Sequence, residues 1–105
     1  MEIQFFEDAD EKSLVVKVSG DCDLYNAHHL FSDVTGRLSG GGYSAVYVDL
    51  SGSPYMDSSG VGALIRILQY TKSKSINLKF RGIEGTVRKV MRLSNILSII
   101  TEDRQ

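Results

Sequence analysis

Ala45-Val46-Tyr47-Val48-Asp49-Leu50, Ser51-Gly52-Ser53-Pro54 and Tyr55-Met56-Asp57-Ser58-Ser59-Gly60-Val61-Gly62-Ala63-Leu64 follow one another without a gap and read as strand, loop and helix start. The first run is short and mostly apolar, as in a central strand covered on at least one face. The second holds the only proline of the chain. Beyond it, Val61, Leu64, Ile65 and Leu68 stand at i, i+3, i+4 and i+7, one stripe of an amphipathic helix. Ser58 has the chemistry of its N-cap, because a hydroxyl can accept a hydrogen bond from a free first-turn amide. The polar stretch Lys72–Ser75 ends this helix.

Strands and helices continue to alternate on both sides of this stretch. On the C-terminal side, Ile76, Leu78 and Phe80 alternate as a strand, and Gly82 and Gly85 loosen the chain. Val87, Val90 and Met91 then predict a last helix from near Thr86, with Asn95 as a left-handed stop. The apolar run Ile96–Ile100 predicts a short final strand, and residues 102–105 a frayed tail. On the N-terminal side, period-two alternation predicts strands at 2–7 and 13–19, joined by a charged turn over Glu7–Lys12. Ala27, Leu30, Phe31, Val34 and Leu38 make one face of a helix over 25–38, which the Gly40–Gly42 triplet stops. The order predicts an α/β fold: one domain over 1–105, a mixed and mostly parallel sheet, right-handed βα winding and flanking helices.

Length and composition narrow the function class. A chain of 105 residues with 42% hydrophobic side chains buries a core without staples. Cys22 is the only cysteine, so no internal disulfide forms, and a reducing compartment fits. The longest apolar run, Val61–Leu68, is interrupted by Arg66, and the acidic N-terminus does not resemble a secretory signal. The expectation is a cytoplasmic protein with no membrane contact. Ten acids and three bases fall in residues 1–57, and eight bases with only Glu84 as an acid in residues 66–92. That basic stretch spans several elements and has only Tyr70 and Phe80 as aromatics, so it reads as a solvated surface with no direct nucleic-acid role.

The chemistry concentrates at Ser58. First-turn amides of a helix are unpaired and its dipole is positive there. A phosphate on such a serine adds about −1.5 to −2 charges and three acceptor oxygens. The helix end tolerates that charge, whereas a partner packed on the same surface would meet a desolvated dianion beside Asp57.

Other candidates are weaker. His28 and His29 are adjacent, lack the i, i+4 spacing of a metal pair and are expected to point apart on the surface. Asp21, Asp23 and Asp57 form a possible acidic cluster without the ligand spacing of a metal loop, so no metal and no cofactor is expected. The G-x-S-x-G elbow of a serine hydrolase is absent around Ser58 and Ser59, and no Gly-Lys-Ser or Gly-Lys-Thr follows Gly60-Val61-Gly62. Cys22, with aspartates on both sides, is expected to be inert.

The segment Tyr55 to Leu64 resembles the phosphorylation-site motif of bacterial anti-sigma factor antagonists, members of the STAS family. Val18-Ser19-Gly20-Asp21-Cys22-Asp23 resembles that family's earlier motif, Val46–Ser51 the strand leading to the serine, and Val87–Ile100 its last helix and strand. The resemblance implies a STAS-like domain whose phosphoacceptor is Ser58, directly after Asp57. It implies a partner surface built from Asp23, Asp57, Ser58, Ser59 and Gly60. It also implies a non-enzymatic protein that, unmodified, binds an anti-sigma factor and thereby frees a sigma factor. That anti-sigma factor is itself a serine kinase of the histidine-kinase-like ATPase type; it phosphorylates and releases the antagonist, and a serine phosphatase resets it. Many members carry glycine near Lys74-Ser75 and at the position of Asn95, and proline near Gly85, where this chain differs. The alternative is a STAS scaffold or small-ligand module in a sensory or transport assembly, with Ser58 acting only as a cap.

Overall fold

A computed structural model describes residues 1–103. Its elements are β1 (Glu2–Asp8), β2 (Ser13–Ser19), α1 (Ala27–Leu38), β3 (Ala45–Gly52), α2 (Ser58–Ser73), β4 (Asn77–Arg81), α3 (Gly85–Leu93) and a 3-10 turn over Ile96–Ser98. The sheet order is β1-β2-β3-β4. β1 runs antiparallel to β2, and β2, β3 and β4 are parallel, so α1 and α2 are the two crossovers. This is the mixed, mostly parallel α/β sheet that the alternation of elements predicts.

The core follows from the period-two pattern. Leu14, Val16 and Val18 on β2, Val46, Val48 and Leu50 on β3, and Leu78 and Phe80 on β4 are buried. The intervening residues of these strands are mostly part-exposed, so a single sheet face meets the helices. Leu30 and Val34 from α1, Leu64 and Ile67 from α2, and Val87 and Met91 from α3 complete that core. Phe31 stays at the margin, where the Arg66 guanidinium lies 4.0 Å from its ring centre.

Three expectations need correction. The final strand over Ile96–Ile100 is absent. Asn95, at φ 62°, turns the chain left-handed, and Ile96 is drawn into the core at the start of the 3-10 turn. Residues 102 and 103 are not frayed. The Phe80 amide donates to the Thr101 carbonyl (2.9 Å) and the Asp103 amide to the Phe80 carbonyl (2.7 Å). Arg81 then pairs with Asp103 at 2.7 Å, and Arg88 pairs with Glu102. The expectation for residues 104 and 105 lies outside the described residues. Finally, α1 starts at Ala27 rather than at 25, because Asp23–Asn26 form a turn of their own: the amides of Asn26 and Ala27 both donate to the Asp23 carbonyl.

The resembled family commonly has glycine near Lys74-Ser75 and at the position of Asn95; here Ser75 and Asn95 both take left-handed backbone angles, φ 57° and 62°. The turn geometry therefore survives the substitutions, at about 1 kcal/mol or more for a serine in this region and less for an asparagine.

Candidate functional site

Because β2 and β3 are parallel neighbours, the segments leaving their C-terminal ends emerge side by side. Two backbone hydrogen bonds stitch them together. The Cys22 amide donates to the Tyr55 carbonyl (3.0 Å), and the Asp57 amide donates to the Cys22 carbonyl (3.2 Å). This isolated bridge brings the Gly20–Asp23 motif against the start of α2.

Asp57, not Ser58, is the N-cap of α2. Its Oδ1 accepts from the amides of Ser59 (2.9 Å) and Gly60 (3.2 Å), while Oδ2 accepts from the Leu24 amide (3.1 Å). A carboxylate has enough lone pairs to serve both the helix end and the neighbouring loop; a serine hydroxyl does not. The capping role is thus taken away from Ser58, which becomes the first helical residue. Ser58 is exposed, and among the described residues its hydroxyl has no partner. Its backbone is held firmly while its oxygen stays free.

The other expected residues fall into different places. Asp23 is part-buried; its Oδ1 accepts from the Tyr25 amide (3.0 Å), and its own amide donates to Asn26 Oδ1 (2.9 Å). Ser59 is part-buried and lines a shallow groove of about 250 Å³ with Leu24, Ala27, His28, Gly62 and Arg66. Gly60 is buried beneath the surface, against Cys22 and Met56, and so supports the site from below. Asp21 is exposed, and its carbonyl accepts from the Asn26 side-chain amide. His28 and His29 do not point apart: their rings lie 4.0 Å from centre to centre, tilted by 37°. Among the described residues no three His, Cys, Asp or Glu side chains come together as a metal-holding group.

Three exposed apolar residues stand on the two segments that meet at the start of α2 and were not singled out by the sequence pattern. Leu24 is 68% exposed, Tyr25 84% and Tyr55 44%. The available signal was position: a leucine and an aromatic in the turn before α1, off the stripe of Leu30 and Val34. Two tyrosines and a leucine on the segments that carry Asp23, Asp57 and Ser58 thus leave apolar surface exposed at this end of the sheet. A phosphate on Ser58 would lie beside the Asp57 carboxylate, which already occupies the amides of Ser59 and Gly60. The helix dipole would offset part of that like-charge repulsion.

Cys22 is fully buried, and its thiol is pushed up to about 11, first by burial and then by the charges of Asp57 and Asp23. We expect no alkylation by iodoacetamide in the folded protein at pH 8, and full alkylation once denaturant is added. A thiol that ionises at 9.0 when unfolded and near 11 when folded favours the folded state below pH 9, and that contribution is lost as pH rises towards 11. Urea midpoints measured across that window should fall for the native chain and stay flatter for Cys22→Ala.

Residues 2–104 match the family model described as STAS domain. The chain belongs to the STAS family. This STAS chain is 28% identical over 95 residues to a STAS-domain containing protein of Pseudomonas aeruginosa, covering 90% of this chain and 92% of that one. It is 24% identical over 90 residues to the anti-sigma-B factor antagonist of Staphylococcus aureus, covering 86% and 82%. A crystal structure from Thermotoga maritima superimposes with a TM-score of 0.87 at 18% identity, over 98% of this chain and 86% of the other, and shows the same STAS fold. The anti-sigma factor antagonists of this family are regulators rather than enzymes, and this chain matches one of them over 86% of its length. No helix among its described residues is long and apolar enough to cross a membrane.

Proposed function

We propose that this STAS domain is an anti-sigma factor antagonist switched by phosphorylation of Ser58. The observation that carries the reading is the free, exposed hydroxyl of Ser58 at the first position of α2, held in place by the Asp57 clasp. The unmodified surface of Asp23, Asp57, Ser58 and Ser59, with Gly60 beneath it, docks an anti-sigma factor that is also an ATP-dependent serine kinase of the histidine-kinase-like type. Docking frees the sigma factor. Phosphorylation places a dianion in the contact, beside Asp57, and the complex dissociates; a serine phosphatase restores the hydroxyl. All of this takes place in the cytoplasm. The relative named as an anti-sigma-B factor antagonist supports the reading.

Phosphopeptide mapping of the protein purified from its own host tests the site, with phosphate expected on Ser58 and lost in Ser58→Ala. In binding measurements with the host's anti-sigma kinase, Ser58→Ala should bind like the native chain. Ser58→Asp should bind at least about thirtyfold more weakly, since an unpaired charge is then buried in the contact. Normal phosphorylation of Ser58→Ala by that kinase would show that another residue is the acceptor.

The alternative, a STAS scaffold or small-ligand module, has the groove beside Ser59 in its favour. At about 250 Å³ and open to solvent, that groove is smaller than the roughly 300–1,000 Å³ typical of ligand pockets. Calorimetry with nucleotides, giving tight binding to the isolated chain, would favour the alternative.

A further inference from the structure

Parallel strands normally have both faces covered, because their connections place helices on each side. Here β2, β3 and β4 are parallel, yet their buried apolar residues lie on one face only. The helix-free face carries an apolar row across three of its four strands: Phe6 on β1 pairs in register with Val15 on β2, and Val15 with Tyr47 on β3, while Lys79 on β4 ends the row. Phe6 is 53% exposed, and Val15 and Tyr47 are part-exposed.

The charges around this row are arranged with opposite signs on its two sides. On the same face β1 carries the acids Glu2 and Asp8, and β4 carries the bases Lys79 and Arg81. One register step from the apolar row, Lys17 on β2 lies next to Asp49 on β3. Arg81 is engaged by Asp103 and by the Tyr47 ring, 4.1 Å from its guanidinium. Among the described residues Lys17 and Lys79 have no ion-pair partner.

We propose that this face is a self-association surface whose occupant is a second copy of the chain, packed sheet against sheet. A two-fold axis parallel to the strands, midway between β2 and β3, lays β1 over the second copy's β4 and β2 over its β3. Val15 then meets the second copy's Tyr47, and Lys17 meets its Asp49. The acids Glu2 and Asp8 lie over the edge that carries Lys79. A patch with opposite charges on its two sides is what an isologous contact needs, because each residue pair recurs once on either side of the axis. A two-fold axis across the strands would instead stack the acids of β1 on themselves, so the charges select the first arrangement. Facing sheets pack about 10 Å apart with mean strand directions within about 30° of each other, a gap that side chains of this size fill. Ser58 opens α2 on the helix side, so the contact leaves it exposed, and the inference stands independently of the phosphorylation switch.

Sedimentation equilibrium of the full chain, from micromolar to millimolar concentration, is expected to show a monomer–dimer equilibrium that weakens at high salt. Val15→Glu puts a carboxylate from each copy into the apolar centre and should raise the dimer dissociation constant at least about a hundredfold. Its circular dichroism should match that of the native chain. Lys79→Glu, at a position that needs no repacking, should weaken the dimer about tenfold. Orientation is read from the double variant Gln4→Cys with Lys79→Cys, treated with a bismaleimide of about 10 Å reach, the distance between facing sheets. Three strand spacings, about 14 Å, separate β1 from β4 within one chain, beyond that reach. Treatment should therefore give a covalently linked dimer. A chain that stays monomeric to millimolar concentration, a folded Val15→Glu that dimerises like the native chain, or a cross-linking reaction that yields no linked dimer would each overturn the proposal.

Discussion

Gly60→Ala is expected to destabilise the chain by about 2–3 kcal/mol, the upper part of the range for overpacking a core. A Cβ at this position would lie 2.6 Å from Met56 Cγ, 2.8 Å from the Cys22 carbonyl oxygen and 3.1 Å from Cys22 Sγ. The methionine can swing aside, but the carbonyl cannot. It is held at the bridge between the two loops, where it accepts from the Asp57 amide. Alanine favours a helix interior over glycine by about 1 kcal/mol, which offsets only part of the clash. Gly62 is the matched control: it lies two residues on in the same helix, and an added Cβ there meets nothing within 4 Å. Gly62→Ala should leave stability unchanged or raise it by up to about 1 kcal/mol. Urea unfolding of both variants gives the comparison. For a domain of this size the Gly60→Ala loss corresponds to a fall in Tm of roughly 8–24 °C. Equal midpoints for the two variants would show that the Cys22 loop does not pack on α2 as described.

The second large effect is expected at Asp57. Asp57→Ala removes three acceptor contacts at once, to the amides of Ser59, Gly60 and Leu24. Loss of a helix cap alone costs about 0.5–2 kcal/mol. Hydrogen bonds to a charged group contribute about 1.5–3 kcal/mol each, discounted here because Asp57 and Leu24 are partly open to water. Together these give an expected loss of about 3 kcal/mol. Asp57→Asn should keep most of the cap, since asparagine caps as well as aspartate, but its amide nitrogen cannot accept from the Leu24 amide, so it should lose that bond as well as the charge–dipole contribution of about 0.3–1 kcal/mol. Hydrogen exchange separates the local from the global effect. The Leu24 amide, 33 residues from Asp57 in sequence, should lose its protection in Asp57→Ala at least as much as the amides of α2. Unchanged exchange at Leu24 would mean that the clasp between the two loops does not form in solution. Because that clasp fixes the backbone under Ser58, the same variant should also present the serine less rigidly to a kinase.

Much of the architecture was legible because strand and helix periods are local properties. The alternation over 13–19 and the Val61–Leu68 stripe each identify an element without reference to the rest of the chain, and both elements are observed. The left-handed Asn95 was legible for the same reason, as a residue type with a backbone preference. Ile96–Ile100 was misread because a short apolar run does not distinguish a strand from a turn buried by one isoleucine. The ion pairs of Arg81 with Asp103 and of Arg88 with Glu102 gave no sequence signal, as each joins residues far apart in the chain.

At the candidate site the division is sharper. The order Asp57-Ser58-Ser59-Gly60, the helix behind it and the earlier Gly20–Asp23 motif could all be read from residue types in a row. Which of Asp57 and Ser58 caps α2 could not, since both are good capping residues. The parallel pairing of β2 with β3 decided it by bringing the Leu24 amide within reach of a second carboxylate oxygen, a demand that only Asp57 can meet alongside the helix amides. Local propensity thus determined most of the elements and the row Asp57-Ser58-Ser59-Gly60 at which α2 begins. Tertiary pairing determined that the Ser58 hydroxyl is left free, that Gly60 lies beneath the surface, and that one face of the sheet remains uncovered by helices, because each of these depends on atoms brought together only when the strands align.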